Sequence, residues 1–178
     1  MKEMAFDPTR CIVIIQTYPT GQAHMDISAM LHAKGFPLEN ARFVNLRDTI
    51  AARNFAVREH ILPSKLPHAL LIDADMTPGP QMDRLWRSKA DIAGPYYDTG
   101  NDASWAGGFV HCGMMRINTE VFRTLPPPWF LIDRSPDGCD VLACECLHFC
   151  RRAKAVGFTI KQAGYCGHAK PHGCSAPY

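Results

Sequence analysis

Short apolar runs alternate with stretches of helical spacing along nearly the whole chain, and this alternation restricts the possible folds more than any other feature. CIVII (residues 11–15), RFVNL (42–46), ALLI (69–72), DIAGPYY (91–97) and FTIKQ (158–162) read as strands, and the stretch GGFVHCGMMRIN (107–118) follows DIAGPYY. Between them, Ile27, Met30 and Leu31 share one helical face, with Gly35 as the stop. Asp48 or Thr49 caps a second helix carrying Ile50, Val57 and Ile61, with Arg53 and Asn54 beside that stripe. A third helix lies around Met82, Leu85 and Trp86, and a short fourth follows Asn118 or Thr119 and ends before Pro126. Over residues 140–156, Leu142, Cys146, Phe149 and Ala153 form a last stripe closed by Gly157. Strands and helices in alternation predict a three-layer α/β fold with a mostly parallel mixed sheet. Residues 129–139 read as an aperiodic, mobile loop and 164–178 as a tail of loops.

No repeat or linker divides the 178 residues, a length that suits one domain with a substantial core. A hydrophobic content of 47% and a charged content of 20% exclude a disordered chain. The net charge of +2, without a dense basic run, is too weak a footprint for nucleic acid or membrane as the main partner. No apolar stretch is long enough to span a membrane, and MKEMAFDPTR lacks the apolar core of a signal peptide. A cytoplasmic protein with reduced thiols is therefore expected.

The stretch HALLIDADMTPGP, residues 68–80, carries the most chemistry. Four apolar residues run straight into Asp73-Ala74-Asp75 and then into turn residues. In an extended chain, side chains two apart point to one face, so the two carboxylates are neighbours and repel unless a cation shares them. A hard divalent ion, magnesium or manganese, takes such oxygen ligands together with phosphate and water. A solvated strand end is the plain alternative. Thr17, Asp73 and Asp75 all fall at the carboxyl ends of strands, where α/β sheets usually bind ligands. The P-loop, the dinucleotide-binding glycine motif, the nucleophile elbow and the H-E-x-x-H zinc motif do not occur.

A strand ending in a Thr loop, AARNFAVREHIL, LLIDADM, GMMRINTEVFRTLPPPWF, CECLHFCRRAKAVGF and a terminal GH occur in that order. Together they resemble a glycosyltransferase of the Rossmann-like GT-A fold, in particular the compact family-two-like enzymes of bacteria and viruses. The resemblance spans about residues 12–168, making residues 1–178 a single catalytic domain. It implies a nucleotide-diphosphate sugar donor, such as a UDP-sugar, and a divalent ion held by Asp73, Asp75 and His168. It places Thr17, Arg53 and Asn54 by the nucleotide, and Trp129 and Phe130 where acceptor binding begins, ahead of a flexible loop at about 130–140. Lys170, in the glycine-rich tail, is positioned to reach a phosphate.

The chain departs from the family pattern in its late helix. Such enzymes carry Glu-Asp there, with the Asp commonly the base, whereas this sequence reads Glu145-Cys146. Glu145 is taken as the catalytic base, with Asp140, His148 or a retaining mechanism as the other routes. The acceptor, whether polysaccharide, lipid-linked sugar, protein or modified DNA base, is not legible. Two rival functions remain. A nucleotidyltransferase also uses an acidic pair and a divalent ion, but QTYPTGQAH lacks the basic, glycine-rich loop such enzymes show. A zinc-stabilised interaction module would use Cys139, Cys144, Cys146 and Cys150 with Cys166, His168, His172 and Cys174, although no C-x-x-C occurs.

Overall fold

The computed structural model describes residues 6–17, 23, 25–96 and 109–168. Its elements follow in the order β1 (Cys11–Gln16), α1 (Met25–Ala33), β2 (Ala41–Val44), α2 (Thr49–Ala56), α3 (Leu62–Ser64), β3 (His68–Asp73), β4 (Met76–Pro78), α4 (Asp83–Arg87) and β5 (Ile92–Tyr96). They continue with β6 (Met114–Asn118), α5 (Glu120–Thr124), β7 (Asp133–Arg134), β8 (Val141–Ala143), α6 (Glu145–Ala155) and β9 (Ile160–His168). A π-helical turn, Val57–Ile61, joins α2 to α3.

Seven strands form one sheet in the order β2-β1-β3-β6-β5-β9-β4. β2, β1 and β3 run parallel, and β9 runs parallel to β5. Only β6 and β4 are reversed against their neighbours, so the mixed sheet is mostly parallel, as expected.

The strands alternate between two cores because their side chains point to opposite faces in turn. Ile12, Ile14, Ala69, Leu71, Met115 and Ile117 pack with residues of α2, α5 and α6. Cys11, Val13, Ile15, Leu70, Ile72 and Met114 pack with residues of α1 and α4. The result is helix layer, sheet, helix layer. The apolar faces explain the helices: α1 buries Ile27, Met30 and Leu31, and α6 buries Cys146, Phe149, Cys150 and Ala153. Asp48 caps α2, its carboxylate accepting from the Ala51 N–H at 2.8 Å, which satisfies a donor with no partner within the helix.

Four local expectations change. The Thr-Pro-Gly-Pro stretch does not simply end β3: Met76–Pro78 forms an edge strand on β9, a place where a proline without an N–H is tolerated. The aperiodic loop instead folds into a hairpin, with β7 pairing antiparallel to β8 across a turn that includes Gly138 at φ 75°. The helix expected from residue 140 begins at Glu145, because Val141–Ala143 is used as a strand and leaves Leu142 exposed. The last strand runs on to His168, through Gly164 at φ 90°, rather than dissolving into loops after Gln162.

Asn54 ties α2 to the segment before the hairpin. Its Nδ2 donates to the Phe130 carbonyl at 2.8 Å and to the Ile50 carbonyl at 3.1 Å. Its Oδ1 accepts from the Trp129 and Phe130 N–H groups at 2.9 and 3.1 Å. Trp129 is anchored further by its indole N–H, which donates to the Phe122 and Leu125 carbonyls. Replacing Asn54 by Ala would strand these buried backbone groups, so Asn54→Ala is expected to lower stability by about 1–3 kcal/mol in chemical denaturation.

A second expectation concerns pH. His68 is buried beside Phe6, with neither ring nitrogen hydrogen-bonded among the described residues. Burial, helped by Arg116 and Arg10, lowers its pKa from 6.5 to about 4. The unfolded chain therefore binds the proton first. The stability that neutral His68 permits is complete above pH 6.5 and is lost as pH falls toward 4, by roughly 3 kcal/mol in all. Denaturation midpoints across this window should fall less steeply in His68→Gln than in the wild type.

Candidate active site

Arg53 is the centre of the arrangement. Its side chain is only 3% exposed, and it projects from α2 towards the carboxyl end of β3. Nη2 donates to both oxygens of Asp73, at 3.1 and 3.0 Å, and Nη1 donates to Oε1 of Glu145 in the first turn of α6. One guanidinium thus joins two carboxylates from elements far apart in sequence. Burial alone would lower the Arg53 pKa, but it is raised overall, and the carboxylates of Asp73 and Glu145 are the charges that hold the guanidinium protonated. Its Nε has no hydrogen-bond partner among the described residues.

Asp73 ends β3 with its side chain 27% exposed, and Asp75 follows two residues later, also partly exposed. Burial pushes the Asp73 carboxyl above the ordinary carboxylate range; Arg53 pulls it back, while Asp75 and Glu145 push it up. The pair is an oxygen donor set of the kind hard divalent ions prefer, and an added cation would relieve the repulsion that raises Asp73. The pairing of β4 with β9 sets the His168 backbone opposite Met76, next to Asp75 in the chain. Three positions from opposite halves of the sequence are thus brought near one another, and their residue types suit a divalent ion. Lys170 lies outside the described residues.

Thr17 is buried just past β1, with its N–H donating to the Val44 carbonyl at 3.0 Å. Asn54, next to Arg53 in sequence, faces elsewhere, since consecutive residues of a helix point about 100° apart. Its amide is used on the Trp129–Phe130 backbone. Trp129 and Phe130 are themselves core residues: the Phe130 ring lies 4.7 Å from that of Phe149, and Phe122 packs against both. What they give the site is a fixed start for the hairpin, through their backbones.

Glu145 is 19% exposed. Besides Arg53, its Oε1 accepts a long hydrogen bond from the Cys146 thiol at 3.7 Å. The signal for the Arg53–Glu145 pair is absent from any local stretch of sequence. Cys146, where the resembling family carries Asp, is buried and accepts from the Cys112 N–H at 3.2 Å. Its thiol pKa is raised well above the ordinary value, first by a hydrogen bond with the Cys112 thiol and further by burial. The ligand atoms of Cys144, Glu145 and Cys146 lie within 4.8 Å of one another, close enough to share an ion. Cys146 and Cys150 both serve the apolar core. His148, the other candidate base, is paired through Nδ1 with Asp133 at 2.7 Å.

Neither a known family model nor a curated protein sequence matches the chain. Among solved structures, it is similar to the mannosyltransferase PcManGT from Pyrobaculum calidifontis in complex with GDP-Man and Mn2+, with a TM-score of 0.63 and 15% identity. That match covers 97% of this chain and 61% of the mannosyltransferase, so the chain spans less than two thirds of that protein's length. It is also similar to A197 from STIV, with a TM-score of 0.54 and 13% identity over 89% of this chain and 82% of that one. At such identities the likeness is one of fold alone: a Rossmann-like α/β arrangement with a mostly parallel sheet, similar to that of the mannosyltransferase.

Proposed function

We propose that this protein is a glycosyltransferase that moves a sugar from a nucleotide-diphosphate sugar to an acceptor hydroxyl. The observation that carries the reading is the buried Arg53, tying the first carboxylate of the acidic pair to Glu145 at the strand ends of a glycosyltransferase-like fold. The mannosyltransferase of similar fold is in complex with a nucleotide sugar and a manganese ion, which supports the same donor chemistry here.

In this reading Asp73, Asp75 and His168 would hold a manganese or magnesium ion, whose chemistry would be to offset the negative charge of a departing diphosphate. Arg53 fixes the Asp73 carboxylate and adds a permanent charge behind it. Thr17 lies by the nucleotide and Lys170 reaches a phosphate. Glu145 keeps Oε1 on Arg53 and Cys146, leaving Oε2 to take the acceptor's proton as the acceptor oxygen bonds to the sugar carbon and the bond from that carbon to the phosphate oxygen breaks. Cys146 cannot replace it as base, because the Cys112 thiol and burial keep it protonated. Trp129 and Phe130 start the acceptor side, with the β7–β8 hairpin as the element that meets the acceptor. Among the described residues no helix is long and apolar enough to cross a membrane.

Two experiments test this. Uridine and guanosine diphosphates titrated into the wild type should bind with manganese and lose most of that affinity with chelator or in Asp75→Asn. Equal affinity in all these conditions would remove the metal assignment. Glu145→Gln should retain diphosphate binding and lose transfer by on the order of 100-fold or more, the scale of general base catalysis. Full transfer activity in that variant would rule out Glu145 as the base.

A further inference from the structure

β4 and β9 meet at three paired positions: Met76 opposite His168, Thr77 opposite Gly167 and Pro78 opposite Cys166. Residues directly opposite in an antiparallel pair share a face, where two full side chains ordinarily fit. At the middle pair they do not. The Thr77 hydroxyl lies against Gly167, and a methyl group at Gly167 would overlap that oxygen. The Thr77 Cβ and carbonyl oxygen stand 3.7 and 3.8 Å from the place of that methyl, at ordinary contact distance. The hydroxyl alone therefore excludes a side chain.

Little else in the ribbon resists a displacement at this pair. β4 is an edge strand of three residues, and Pro78 has no N–H to give to the ladder. The other end of the ribbon cannot yield. A Cβ at Gly79 would meet the Tyr165 carbonyl oxygen at 2.7 Å, and one at Gly164 the Gln81 carbonyl oxygen at 2.9 Å, so backbone already lies on backbone there. Met76 and Cys166 are fully buried and hold both strands on the core. Any enlargement at position 167 falls on the end of β9 that carries His168, opposite the residue that follows Asp75.

We propose that Gly167 and Thr77 are positioning residues, whose close approach sets the His168 backbone relative to the acidic pair and so the affinity for a divalent ion. The inference rests on the reading of Asp73, Asp75 and His168 as ligands. Neither Gly167 nor Thr77 touches the ion; both act through the strand that carries His168. Octahedral ions such as magnesium and manganese need ligands at nearly fixed positions, and residues that orient ligands commonly change affinity by tenfold or more.

The test titrates manganese alone into the full chain and follows the electron paramagnetic resonance of the free ion, with the melting temperature of each variant recorded. Gly167→Ala should weaken binding by about tenfold or more. Thr77→Ala/Gly167→Ala, which removes the obstructing hydroxyl, should recover the wild-type affinity. Thr77→Val/Gly167→Ala keeps the bulk and should not recover it. Adding His168→Ala to the recovered variant should abolish the gain, a dependence that a merely structural role would not produce. The comparison of the two double variants stands by itself where Gly167→Ala folds poorly. No manganese binding by the wild type, or wild-type affinity in Asp75→Asn, overturns the metal reading and this inference with it. If Asp75→Asn loses the ion, three results each overturn this inference alone: unchanged affinity in Gly167→Ala, no recovery in Thr77→Ala/Gly167→Ala, or a recovery that survives His168→Ala.

Discussion

A guanidinium buried between two carboxylates is the interaction on which the rest of this site depends. Asp73 closes β3 and Glu145 opens α6, and Arg53 is the group that touches both. Removing the charge would leave two acids facing each other in a largely buried place, and breaking such a group commonly costs several kcal/mol. The same contact fixes how α2 and α6 sit over the strand ends. Structure and chemistry therefore meet in one side chain, which is why a buried charge is tolerated here at all.

The fold is legible in the sequence where the physics is local. The unbroken apolar runs of β1 and β3 report directly on a sheet covered on both faces, and the stripes of α1 and α6 report on which faces they bury. The acidic pair is legible too, since a four-residue apolar run fixes where its strand ends. Arg53 and Asn54 stand out together in the sequence, yet helical geometry sends them to different tasks, one to the carboxylates and one to the Trp129–Phe130 backbone. Their adjacency does not carry that difference. Nor can it carry the partnership of Arg53 with Glu145, which only the packing of α2 beside α6 creates.

The elements that differ from expectation share a cause. The turn that closes the β7–β8 hairpin is written as Ser135-Pro136-Asp137-Gly138, a turn sequence with a mechanism, but its flanking strands are too short to show a period of two. Leu142 falls at helical spacing from Cys146 by coincidence, and pairing with β7 takes it out of the helix. The extension of β9 to His168 depends on β4, an edge strand that closes the sheet from the far end. That pairing also brings the His168 backbone beside the acidic pair, a juxtaposition no spacing rule supplies.

Donor consumption tests the central claim most directly. The purified chain would be incubated with magnesium and a panel of nucleotide-diphosphate sugars, and phosphorus resonances followed without added acceptor. At least one donor should be hydrolysed slowly to free nucleoside diphosphate, with Arg53→Met and Asp75→Asn abolishing the signal. If no sugar nucleotide is turned over or bound by the folded wild-type chain, the reading of these residues as a sugar-transfer site is contradicted.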